Sequence, residues 1–110
     1  MKKTKLGEFE ELVLLTVVVL QEDAYGLAIM RDLEIRIKAK LSFGSVQSAL
    51  KRLEEKGFLT SAFGEATEKR GGRRKRIYTV TTYGHQILTQ MKDIRESLYE
   101  TILKLNPAGS

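Results

Sequence analysis

From Glu8 to about Gln21 the apolar positions recur at helical spacing. Phe9, Leu12, Val13, Thr16, Val17 and Leu20 share one broad stripe, which predicts a first helix. Glu8, Glu10 and Glu11 fill its opening turn, where carboxylates meet the positive end of the helix dipole. Val17-Val18-Val19 is β-branched and would also suit a strand. QEDAYG is a turn, with Asp23 placed to cap the next helix. That second helix runs from about Tyr25 to Lys38 and buries Leu27, Ile29 or Met30, Leu33 and Ile37. After the break LSFGS a third helix, capped by Ser42, continues through Lys56. Val46, Ala49, Leu50 and Leu53 face inward, and Gly57 supplies the left-handed residue that ends it.

The pattern then changes. FLTSAFGEA and RIYTVT carry Phe58, Leu59, Phe63, Ile77, Tyr78 and Val80, the aromatic and β-branched residues that strands prefer. About a dozen charged and glycine-rich residues separate them, too many for a tight hairpin, so the connection is expected to be a mobile, solvated loop. A long last helix, capped by Thr81 or Thr82, completes the chain. Ile87, Met91, Ile94, Leu98, Ile102 and Leu105 lie at spacings of 4, 3, 4, 4 and 3, and Pro107 stops the helix. The expected fold is mainly α with a small β-hairpin. It is a winged helix-turn-helix over residues 1–80, followed over 81–110 by a C-terminal dimerisation helix and tail.

Length and composition narrow the function. With 110 residues, 42% apolar and 30% charged, the chain is one ordered domain. It has no cysteine, hence neither a disulfide nor a thiolate metal site, which fits a cytoplasmic protein. Acids follow the basic start at once and interrupt any signal-peptide reading. The longest apolar run, LVLLTVVVL, falls well short of the ~20 residues that span a bilayer. His85 is the sole histidine, and no nucleophile, phosphate-loop, dinucleotide or zinc motif accompanies it. Neither catalysis nor a cofactor or metal is expected.

Charge points elsewhere. KRGGRRKR, residues 69–76, holds six of the nineteen Lys and Arg residues; the remaining thirteen face fourteen acids, so this one stretch accounts for the net +5. Between two strands it becomes the wing, with Gly71 and Gly72 letting the backbone turn close to a phosphodiester chain. Strand alternation sends Arg74 and Arg76 to one face, Arg73 and Lys75 to the other. In a winged helix-turn-helix the second helix of the pair enters the major groove. Here its outward residues are Gly44, Ser45, Gln47, Ser48 and Lys51, with Arg52 at the flank. Gln47 suits an adenine edge and Ser48 either base type; Lys51, Arg52 and the wing residues Arg70, Arg73, Arg74, Lys75 and Arg76 suit phosphates. Neutralising about six phosphates per protomer predicts a log K against log salt slope near −5. The stripe on the last helix is longer than one small domain covers, which predicts a two-fold dimer matched to a palindrome.

LGEFEELVLLTVVVLQEDAYGLAI, SFGSVQSALKRLEEKGFLTS and GGRRKRIYTVTTYGHQIL resemble the PadR family of bacterial transcriptional regulators, in its short form with a single C-terminal dimerisation helix. The resemblance covers residues 5 to about 105. It rests most specifically on Tyr25-Gly26, on Gly44 with Leu50, Leu53, Glu54 and Gly57, and on the GGRR wing ending in Tyr78. It implies a dimeric repressor bound to double-stranded DNA, with Tyr25 and Ser42 joining the contacts named above. In some members it implies release by a small aromatic or drug-like effector near the dimer interface. Gln47 stands where the family commonly has Tyr, and the chain has no Trp for a drug-stacking pocket. Two rival readings remain: a winged-helix protein-interaction module with an acidic partner, and a nonspecific nucleic-acid binder.

Overall fold

The first helix is held helical by the face it buries, although of its three consecutive valines only Val17 is fully inside and Val19 is exposed. In a computed structural model of the chain, which describes residues 6–64 and 74–105, α1 spans Glu8–Leu20. Val13, Leu14 and Val17 on it are sealed into one cluster with Ala24, Ile29, Leu33, Val46, Leu50, Leu53, Phe58 and Leu59. The buried arc is turned by about one residue from the predicted stripe. Leu14 is fully buried and Leu12 is 38% exposed, because the second and third helices and the second strand close on the Val13–Leu14–Val17 side.

A short 3-10 turn, Gln21–Asp23, leads to α2, Gly26–Ile37. The expected cap is not made. No side chain caps α2, and Asp23 offers only its backbone carbonyl, to Tyr25 N at 3.0 Å. Tyr25 is instead extended so that it can bridge Ile77 of the hairpin. Ile29 and Leu33 are buried as predicted, whereas Leu27 and Ile37, at the two ends of α2, are each 37% exposed. Glu34 organises the link to the next helix, its carbonyl accepting from Lys38 N and its carboxylate from Leu41 N, each at 2.8 Å.

Helix α3, Phe43–Glu55, starts as its sequence predicts: the Ser42 hydroxyl accepts from Ser45 N at 3.0 Å. It ends at Gly57, whose φ of 84° few side chains tolerate. Phe58, fully buried, precedes β1 (Leu59–Phe63) rather than opening it. β1 pairs antiparallel with β2 (Arg76–Val80), Leu59 opposite Val80 and Phe63 opposite Arg76. Tyr78 N donates to Ala24 O at 2.8 Å, which ties the hairpin to the head of α2. Most of the expected loop between the strands, including Arg70 and Arg73, lies outside the described residues, as does Pro107.

Thr81 is the cap of α4, Thr82–Leu105: its hydroxyl accepts from Gly84 N at 2.9 Å and donates to Gly57 O at 2.7 Å. Gly84 is buried where a Cβ would sit against the Phe58 carbonyl oxygen and 2.7 Å from Val80 Cγ1. Beyond Met91 every described residue of α4 is exposed. Among the described residues no helix is long and apolar enough to cross a membrane.

Candidate nucleic-acid interface

Helix α3 shows two faces. Val46, Ala49, Leu50 and Leu53 are fully buried, while Gly44, Ser45, Gln47, Ser48 and Lys51 are exposed. Its exposed face opens into two grooves, each of about 280 Å³. Gln47 shares one with Tyr25, Phe43, Lys75 and Arg76. The other is lined by Gln47, Ser48, Lys51, Glu54, Arg76 and Tyr78. The serine-glutamine face and the wing residues Lys75 and Arg76 therefore meet on one side of the molecule.

Aromatic rings order the basic side chains of the wing, and one hydrogen-bond chain ties it to α3. Arg74 and Arg76 stack on Phe63, their guanidinium carbons 5.6 and 4.7 Å from the ring centroid. The Lys75 ammonium sits 3.5 Å from the centroid of Tyr25. These contacts follow the strand alternation: Arg74 and Arg76 take one partner, Lys75 another. Arg76 Nη1 donates to Ser61 Oγ, and Ser61 Oγ to Glu54 Oε2, each at 2.7 Å, so the wing is tied to α3 itself. Arg74 Nε donates to Gly64 O at 2.9 Å. Tyr78, largely buried beneath the groove, has its hydroxyl pKa raised by that burial.

Several polar groups assigned to DNA have partners within the chain. Ser42 caps α3, and Ser45 Oγ donates to Ser42 O at 2.8 Å. Arg52 turns toward α1, its Nε donating to Glu10 Oε2 at 2.8 Å, beside Lys56 Nζ on Oε1 at 2.7 Å. Burial alone would raise the Glu10 carboxyl; the bonds from Lys56, Arg52 and Gly7 N–H outweigh it and hold the group at about 2. Beside it, Glu11 binds Arg95 of α4 through both carboxylate oxygens, Nη2 to Oε1 at 2.6 Å and Nη1 to Oε2. That pairing raises the Arg95 pKa.

The sequence presents Glu10 and Glu11 only as dipole partners of α1. The signal that they are buried is nonetheless there: Glu10 lies three, four and seven residues before Val13, Leu14 and Val17, on the same face. Phe63, close to a basic run, is a ring platform that strand propensity alone does not single out. Among the described residues no group of His, Asp or Glu is placed to hold a metal ion.

On α4, Ile87 and Met91 are half-buried, and Ile94, Leu98, Ile102 and Leu105 stand 54%, 59%, 54% and 80% exposed. The outer part of this row, Ile94 to Leu105, has no cover within the described residues of the chain.

A family model described as the PadR-like transcriptional regulator family matches residues 14–90. The chain belongs to that family. Members are regulators of transcription that act by binding DNA and not by catalysis. Solved PadR-like structures share the fold. One from Clostridium difficile is 27% identical, with 86% of this chain and 95% of that one covered at a TM-score of 0.59. One from Bacillus cereus is 21% identical with a TM-score of 0.69, covering 88% and 89%. A third, from Eggerthella lenta, is 24% identical with a TM-score of 0.65, covering 89% and 85%. No curated protein matched this PadR-like chain.

Proposed function

We propose that this regulator represses transcription in the cytoplasm as a homodimer bound to a palindromic operator. Residues 1–80 are the DNA-binding unit and 81–110 the dimerisation helix and tail. Gly44, Ser45, Gln47 and Ser48 face base edges in the major groove. Lys51, Arg74, Lys75 and Arg76 lie on phosphates, with Tyr25, Ser42 and Arg52 at the margin and Arg70 and Arg73 assigned to phosphates with the rest of the basic run. The observation that carries this reading is the pair of grooves in which Gln47 and Arg76 both take part. Gly44 supports it: a Cβ there would meet nothing of this chain within 4 Å, so no internal packing calls for glycine.

The exposed row Ile94, Leu98, Ile102 and Leu105, continued inward by Ile87 and Met91, supports pairing with a second copy. Release by a small aromatic or drug-like effector finds room in a groove of about 470 Å³ between α1 and α4. Leu15, Leu88 and Tyr99 are among its lining residues.

Selection from a randomised duplex pool at ~150 mM salt tests the proposal. A recovered palindrome supports it, uniform weak retention points to nonspecific binding, and no retention leaves the protein-interaction module. Gln47→Ala should cost about 1–3 kcal/mol of discrimination at one base position. Arg76→Ala should weaken all sequences alike and flatten the salt slope by about 1. Uniform behaviour of both variants contradicts this division of labour.

A further inference from the structure

Two adjacent glutamates on α1 grip two different helices. Glu10 accepts from Arg52 and Lys56, both at the end of α3. Glu11 takes the guanidinium fork of Arg95 on α4. Neighbours in a helix project about 100° apart. The pair therefore straddles α1, with one carboxylate on the helix that faces DNA and the other on the helix that carries the apolar row. Both carboxylates are buried, their residues only 7% and 5% exposed, while the side chains of Arg52 and Arg95 that reach them stand 51% and 48% exposed. An ion pair exposed on both sides fixes little, being screened and mobile; here one partner of each pair is buried, and a two-pronged arginine contact fixes direction as well as distance.

The rest of α4 is loosely held. Gly84 is buried, Ile87, Leu88 and Met91 are half-buried, and every residue from Lys92 to Leu105 is exposed. Among the described residues, Arg95 is the outermost point at which α4 is tied to the winged unit. A small rotation about its inner end would be amplified outward. Over the roughly 36 Å of a 24-residue helix, a tilt of about 5° moves the far end by ~3 Å, close to one base-pair step.

We infer that Glu10 and Glu11 form a rigid coupling that sets the angle between α3 and α4, and thereby the half-site spacing the protein accepts. The inference rests on the dimeric DNA-binding reading above. Glu11 and Arg95 are positioning residues that touch no DNA. Their removal changes which spacing is bound, not how well one half-site is bound.

The test uses palindromic duplexes whose central spacer is stepped one base pair at a time, with the full-length protein. Wild type is expected to prefer one spacing, with neighbours weaker by about thirtyfold, within the range of a single mismatched base pair. In E11Q/R95M the neighbours should bind within about threefold of the optimum, while affinity for a duplex with a single half-site and the dimer mass stay unchanged. An unaltered spacing profile in the folded double variant overturns the inference. So does a matching loss on the single half-site, which marks a damaged winged unit. If circular dichroism shows the double variant unfolded, Arg95→Lys carries the test, since it keeps the charge and loses the fork. A folded Arg95→Lys dimer with a broadened profile supports the coupling, and one with the wild-type profile overturns it. A wild-type protein that selects no spacing at all sinks the two-fold operator reading itself.

Discussion

Gln21 closes α1 with φ 54° and ψ −123°, a backbone conformation that a side chain resists and glycine adopts freely. Its strain is held in place by the packed ends of α1 and the 3-10 turn. Gln21→Gly should therefore raise stability by about 1 kcal/mol, read as a higher urea midpoint. Glu10 makes the opposite kind of contribution, and its sign follows from its depressed pKa. Relative to an ordinary value of 4.5, a folded value of about 2 means that its contribution is complete above pH 4.5 and fades as pH falls toward 2. The urea midpoint of wild type should exceed that of Glu10→Gln at pH 7, and the gap should shrink steadily between pH 4.5 and pH 2.

At the scale of elements, Gly84 decides how α4 leaves the hairpin. Gly84→Ala drives a methyl group against the Phe58 carbonyl and Val80, so α4 must shift. A loss of about 1–3 kcal/mol is expected in thermal unfolding. Element boundaries were largely legible in the sequence because their determinants are local: the Ser42 hydroxyl, the permissive Gly57, the Thr81 cap. The burial of α1 was legible only roughly. Leu12 and Leu14 lie on a helix whose covered arc is chosen by α2, α3 and β2, and periodicity cannot say from which side those arrive. The ion pairs were not legible at all. Glu10 and Glu11 meet partners 42 and 84 residues away, and nothing near them in the chain names Arg52 or Arg95. On the candidate interface, the alternation of Arg74, Lys75 and Arg76 followed from strand geometry. That Phe63 and Tyr25 would receive them depended on register, which composition does not fix.

At the scale of the whole molecule, the described wing residues Arg74, Lys75 and Arg76 and the apolar row of α4 sit on different elements, so the proposed contacts with DNA and with a second copy can be separated by mutation. Leu98→Asp should give a folded protomer, since Leu98 is already 59% exposed, with the circular dichroism of wild type. Sedimentation equilibrium should report a single-chain mass at micromolar concentration, and binding to a full palindrome should fall to that of a half-site. The uncovered row on α4 also shapes the response to abundance. If two chains must meet before an operator is filled, then by mass action the amount of competent species grows with the square of protomer concentration when protein is scarce. Halving the supply then cuts occupancy about fourfold rather than twofold, so dilution alone turns a gentle dose response into a threshold.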